Sequence, residues 1–246
     1  MGLFFHRFRF RYQARYETGA MLLALMFLSV ACTEQSAEYF PLSAGQAWHY
    51  DVSRQTMDGV FKQKHVVEAL PAIQWQGLTG YPQISAGGEQ YLFRKSGQGV
   101  QRIAVRGRDK AEFTQHPEAF VLLPDITDQG TTWEQTVFTR VLENTGPPWE
   151  TLFRIVEPVP MNFVIESSNA SVTVPAGEFN QCLKVTGVGE ANVDVGNYIG
   201  RTIIKINIQR WYAKGVGLVK AVHTETTTAD ALNHGEIQLQ LEHLSP

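Results

Sequence analysis

Between Ile204 and Gln209 the chain alternates apolar and polar residues: Ile204, Ile206 and Ile208 against Lys205, Asn207 and Gln209. Ile237, Leu239 and Leu241 alternate in the same way with Gln238, Gln240 and Glu242, and Trp48, Tyr50 and Val52 with His49, Asp51 and Ser53. Strict alternation puts all the apolar side chains on one face of an extended strand, whereas a helix would scatter them around its axis. The pattern therefore demands strands with one buried and one wet face. Gly- and Pro-containing turns punctuate the runs: "MDG" at 57, "SAGG" at 85, "SGQG" at 96, "TGPP" at 145, "PAG" at 175 and "KGVG" at 214. Only "DKAEFTQHPEAF" (109–120) has room for a helical turn or two, and Pro117 limits it. The expected fold is all-β: a curved antiparallel sheet or half-open barrel.

Parts of this pattern occur twice. "YFPLSAGQAWHY" (39–50) resembles "VLLPDITDQGTTWEQ" (121–135), each with a proline followed by Gly-x-x-Trp: Gly45 and Trp48, then Gly130 and Trp133. "HVVEA" follows the first tryptophan and "RIVEP" the second. Each half ends in an aromatic strand with a Gly-x-Gly hairpin, Gly97 and Gly99 in "YLFRKSGQGVQRIAV" and Gly215 and Gly217 in "RWYAKGVGLVKAV". Three matches in the same order predict a duplicated β unit, about 39–108 and 121–222. In this reading both tryptophans are buried at equivalent positions, and the glycines permit tight hairpins. Their roles are architectural.

The apolar run from Ala20 to Ala31 is far shorter than the roughly 20 residues that a spanning helix needs. Arg7, Arg9, Arg11 and Arg15 precede it, interleaved with Phe4, Phe5, Phe8 and Phe10. Such an arm also suits nucleic acid or a membrane surface, but the apolar run directly behind it explains the charge as a secretory signal. The run ends Leu28-Ser29-Val30-Ala31-Cys32, which resembles a bacterial lipobox. Val30, Ala31 and Cys32 match, while Ser29 departs from the usual aliphatic residue. By that resemblance, residues 1–31 are a lipoprotein signal peptide and Cys32 carries acyl chains such as palmitate. More than one chain is enough for stable anchoring. Thr33 replaces the Asp associated with inner-membrane retention, which implies the outer membrane, facing the periplasm. Residues 32–38 are then a tether and 39–246 a single β domain.

Removing residues 1–31 takes away four arginines and one glutamate, so the formal charge of the whole chain, −3, becomes −6. An acidic surface argues against nucleic acid. Cys182 is the only cysteine besides Cys32, and its strand-like setting predicts burial.

The segments "YFPL" to Tyr50, "VTVPAGEFNQCLKV" and "RWYAKGVGLVK" together resemble a class of uncharacterised bacterial cell-envelope proteins, many of them lipoproteins. The most specific parts are Pro175 to Phe179 with Cys182, and Tyr212 to Lys220. The resemblance covers most of the mature chain. It implies curved antiparallel sheets or half-barrels and leaves the activity open. Outer-membrane lipoprotein carriers with a half-open barrel are a looser analogy, on architecture alone.

Chemistry-bearing motifs are sparse. G-x-S-x-G and P-loop patterns are absent, and the Gly-x-Gly pieces precede no helix. The histidines have no metal-ligand spacing, although His49, His65 and His223, read as lying on polar strand faces, have the option of converging in a barrel. Asp125 and Asp128 read as turn residues, not calcium ligands. The expectation is a protein without catalytic residues, cofactor or metal: a non-enzymatic binding or scaffold module with an envelope protein or lipid as partner. The alternative is a lipid or lipoprotein carrier with an apolar cavity, and the third reading is an unrecognised hydrolase. The state of the concave face, filled or hollow, separates them.

Overall fold

The computed structural model describes residues 39–146, 151–196 and 199–246; the signal segment, Cys32 and the tether lie outside the described residues. The strands are β1 (Ala47–Thr56), β2 (Gly59–Ala69), β3 (Ile73–Trp75), β4 (Leu78–Ser85), β5 (Gln90–Ser96), β6 (Gly99–Arg106), β7 (Thr114–Leu123) and β8 (Thr132–Phe138). They continue as β9 (Glu143–Gly146), β10 (Thr151–Arg154), β11 (Pro158–Val174), β12 (Gly177–Asp194), β13 (Arg201–Ala213), β14 (Gly217–Thr227) and β15 (His234–Ser245). Among the described residues, a single 3-10 turn covers Asp230–Leu232.

One antiparallel sheet holds all strands except β9 and β10, which pair with each other. It curls almost into a barrel and leaves a seam unsealed. Its strand order is two meanders joined at their ends. The first runs β1, β2, β4, β5, β6, β7, and the second β8, β11, β12, β13, β14, β15; β1 pairs with β15 where they meet. The free edges are β7 and β8, neighbours in the chain, and the seam lies between them.

The segment read as room for a helical turn, 109–120, is turn and bend up to Phe113 and then β7. Proline cannot donate to a ladder, which suits an edge strand, and the β6–β7 register shifts between Arg102 and Ala104 on the strand opposite Pro117. Cys182 is fully buried and free, as its strand setting predicted.

The Gly-x-x-Trp elements open corresponding strands, the first of each meander. Gly45 N–H donates to Ala69 O and Ala69 N–H to Gln46 O; Gly130 N–H donates to Ile165 O and Ile165 N–H to Thr131 O. The Gly-x-Gly turns both join the fourth strand of a meander to the fifth, with Gly99 at φ +96° and Gly217 at +99°. "HVVEA" and "RIVEP" do not correspond: the first is in β2, while the second spans the end of β10 and the loop before β11. The two tryptophans also differ. Trp48 is 4% exposed in a central strand and donates its indole N–H to Val216 O at 2.6 Å. Trp133 is only half-buried, because β8 is a sheet edge.

The main core fills part of the barrel: Ile204, Ile206, Ile208 and Tyr212 of β13 meet Phe163 and Ile165 of β11, Leu183 and Val185 of β12, and Phe93 and Val100 from the other meander. Tyr39 and Phe40 pack into it at the end where Lys214 lies over the Tyr39 ring. A second cluster forms where the tip of the long β11–β12 hairpin packs onto the central strands. There Val172, Val174 and Cys182 meet Trp48, Tyr50, Val52 and Leu241, and Ala176 N–H donates to Leu241 O. Register shifts between Ile165 and Val172 give β11 the bend this needs.

Candidate functional site in the barrel interior

The concave face is occupied in part by the main core and in part by a polar segment. Between β8 and β9, residues 139–142 run through the interior: Thr139 is 2% exposed, and Val141 and Leu142 are fully buried. A loop here leaves backbone donors without a ladder, and side chains supply the partners. Glu225, on β14 and fully buried, accepts the N–H of Arg140 at 2.9 Å and that of Val141 at 3.0 Å. His223, two residues earlier on the same face, places Nε2 2.5 Å from the Glu225 carboxylate. The returning strand completes the plug. Thr139 Oγ1 donates to Ile155 O at 2.8 Å, Ile155 N–H donates to Leu142 O, and Glu157 N–H donates to Thr139 Oγ1.

Outside this plug the β9–β10 hairpin is tied to the β1–β2 turn. Asp58 accepts from the Thr145 N–H and hydroxyl at 2.8 and 2.9 Å, and Glu143 pairs with Arg54 and, at 3.6 Å, with Arg154. Met57, Val60, Phe61 and Leu152 are exposed around this end, opposite the end that receives Tyr39 and Phe40.

Toward the seam the interior turns cationic and aromatic. The Arg102 guanidinium (β6) lies 5.2 Å from the Tyr91 ring centre and 5.0 Å from that of Phe120. The Arg210 guanidinium (β13) lies 5.6 Å from the Phe163 ring, which stacks on Trp133 at 5.4 Å. Arg140 reaches the same region from the plug. Arg140 is exposed, and its guanidinium lies near enough to Arg210 and Arg102 to be repelled by both. Burial foremost, then the repulsion of Arg210, pushes the Arg140 guanidinium below its ordinary pKa; Arg102 is lowered for the same two leading causes, opposed by Tyr91. Burial, and to a lesser degree Arg140 and Arg210, also lowers His223 against the opposing pull of Glu225. A neutral His223 with its proton on Nε2 fits the bond to Glu225.

The histidines do not converge. His49 stacks on His243 at 4.0 Å, His65 lies on β2, and His223 sits inside the barrel rather than on a polar strand face. β14 turns Ala221, His223 and Glu225 toward Arg210, Ile208 and Ile206, and so brings two polar residues into the apolar phase. Arg210 likewise continues the inward phase of Ile204, Ile206 and Ile208. A charged residue in that apolar phase is the one signal of this site that the sequence carries. Arg140 gave no such signal, because it lies in a loop.

Gly45, Gly97, Gly99, Gly130, Gly215 and Gly217 all lie at turns or strand starts. Asp128 borders a surface hollow near Tyr39, Asn169 and Lys214. No group of three or more His, Cys, Asp or Glu among the described residues is placed to hold a metal. A depression of about 530 Å3 on the β11–β14 wall, beside Asn162, Glu190, Lys205 and Thr224, lies away from the buried polar groups. Lys205 pairs with Glu190 across it at 3.4 Å, which is ordinary solvated sheet chemistry.

No protein-family model matches the chain, and no curated protein matches it. Among solved structures it is similar to a Parabacteroides distasonis protein described as a lipoprotein, with 16% identity and a TM-score of 0.35, covering 85% of this chain and 98% of that one. It is also similar to a Bacteroides fragilis protein described as exported, with a YmcC-like fold, at 13% identity and a TM-score of 0.35, over 83% and 97%. Neither likeness carries a residue or an activity onto this chain.

Proposed function

We propose that this chain is a periplasm-facing lipoprotein, anchored in the outer membrane through Cys32, that works as a non-enzymatic binding module. The occupied interior carries the choice of binding module over acyl-chain carrier. Core side chains and the plug at 139–142 take up much of the interior, in which an acyl chain would have to lie. The buried His223–Glu225 pair is the feature closest to a catalytic group, but it lacks a nucleophile. The imidazole bonds the carboxylate, the carboxylate holds two backbone N–H groups, and Nδ1 meets no hydroxyl. Its evident work is to hold the plug. The exposed apolar residues near the β1–β2 turn, at the end away from Tyr39 and Phe40, are open to a partner.

Fractionation of Cys32→Ser tests the anchor: the variant moves to the soluble periplasmic fraction, and retention on membranes after a high-salt wash refutes the assignment. Solvent extraction of the purified protein tests the module. A stoichiometric acyl lipid recovered from the anchor-free variant would favour the carrier instead. The two meanders, with Gly-x-x-Trp and Gly-x-Gly at corresponding strands, support an origin by duplication.

A further inference from the structure

Buried polar atoms without a partner gather in one part of the interior. They are Arg102 Nε, His116 Nε2, Trp133 Nε1, the Gln135 amide, Arg210 Nη1 and His223 Nδ1. Four of these six residues lie on β6, β7 and β8, beside the seam. Arg102 Nε, Trp133 Nε1, Gln135 Nε2 and Arg210 Nη1 are donors, whereas Gln135 Oε1 and the unprotonated His223 Nδ1 accept; an unmet buried donor costs about 1–3 kcal/mol, so the four donors call for an acceptor. Water supplies acceptors but no charge, and charge is what the site lacks. None of the Arg102, Arg140 and Arg210 guanidiniums is in an ion pair among the described residues. The carboxylates that feel them are committed elsewhere, Glu225 to the plug and His223, and Glu89 to the Tyr91 hydroxyl. The site therefore holds three cations against two engaged anions, inside a domain whose overall charge is negative.

The geometry points to a binding site for an oxyanion, a phosphate or carboxylate group, held under the seam by Arg102, Arg140 and Arg210 with the Trp133 indole and the Gln135 amide as further donors. A guanidinium presents a planar fork that matches two oxygens of such a group, and stacking on Tyr91, Phe120 and Phe163 fixes the planes of Arg102 and Arg210 in advance. The anion would relieve the mutual repulsion of the three cations and accept from the unpaired N–H groups at once. The seam, bordered by β7 and β8, is the way in. This inference names the ligand class of the binding module and does not depend on the anchor, so the Cys32 experiment and this one fail separately.

The test is titration of the full-length protein in non-ionic detergent with inorganic phosphate, acetate and decyl phosphate, read by calorimetry and tryptophan fluorescence. Saturable one-to-one binding of at least one probe is expected, with affinity falling tenfold or more in Arg102→Gln and in Arg210→Gln. Trp133→Phe, a milder change, should fold and lose most of the fluorescence response. Without a probe, the arginine variants should melt no lower than the parent, because each removes one of three like charges; a merely structural arginine would lower the melting point. Binding of phosphate and decyl phosphate alike identifies a free anion as ligand, and binding of decyl phosphate alone identifies an amphiphile's headgroup; both support the site. No saturable binding by any probe overturns it. So does binding that is unchanged in the Arg102→Gln/Arg210→Gln double variant.

Discussion

Glu225 is the residue on which the plug depends, and its replacement has a calculable outcome. Its carboxylate accepts from Arg140 N–H at 2.9 Å, Val141 N–H at 3.0 Å and His223 Nε2 at 2.5 Å, with no surface open to water. Glu225→Ala strands all three donors. Each is worth about 1–3 kcal/mol when left buried and unmet, and they share one acceptor, so the sum is not additive. Removal of one partner from a buried charged cluster typically costs about 3–5 kcal/mol, and that is the expected loss. Glu225→Gln is the informative contrast. Its carbonyl oxygen can take the place of Oε2, which already accepts from both Arg140 and Val141. Its NH2 then faces His223, which must move its proton to Nδ1, an atom with no partner. Two donors are then unmet, the Nδ1–H and the second hydrogen of the NH2, for a cost of about 2–3 kcal/mol, below that of alanine. Urea unfolding by far-UV circular dichroism measures both variants, and amide exchange at Arg140 and Val141 locates the damage. An alanine variant within about 1 kcal/mol of the parent would show that the plug does not need its acceptor. A glutamine variant as damaged as alanine would show that charge, not acceptor geometry, holds the segment.

Burial, chiefly, holds His223 below its ordinary value of 6.5, against Glu225 and with Arg140 and Arg210; burial lowers His65 and His116 in the same direction. The unfolded chain therefore binds more protons between the depressed values and about 6.5, so the urea midpoint should fall as pH drops below about 7 toward the folded values; a midpoint that rises on acidification would refute this. A Cβ on Gly99 would stand 2.1 Å from Leu123 O at φ +96°, whereas one on Gly215 meets nothing within 4 Å at φ +70°. Gly215→Ala should cost about 1–2 kcal/mol from the backbone strain alone and Gly99→Ala clearly more, with thermal melts deciding the order. Burial raises the Cys182 thiol, whose Sγ lies 3.6 Å from Phe179 O, so a maleimide should label it at the rate of unfolding; rapid labelling of the native protein would contradict the buried position.

The sequence by itself determined what is local. Alternation at Ile204–Gln209 and Trp48–Ser53 specifies strands and the face each buries, because side-chain direction in a strand depends only on parity. Glycine at 99 and 217 marks hairpins, because a positive φ is a property of one residue. Gly45 and Gly130 with their tryptophans mark where each meander begins, for the same short-range reasons. Tertiary structure alone decided what those faces meet. Nothing near β8 says that it is an edge, so Trp133 shares the Gly-x-x-Trp spacing of Trp48 but not its burial. Pro117 hinted at a break in structure, and its tolerance in β7 follows only from the missing neighbour. Arg102, Arg210, His223 and Glu225 lie on strands distant in sequence, and the curvature of the sheet gathers them. Arg140 joins them from a loop whose path is fixed by a carboxylate 85 residues further along the chain. Parity could have flagged the inward charges one at a time; which of them share an interior, and which already have partners, depends on long-range closure that no short stretch encodes.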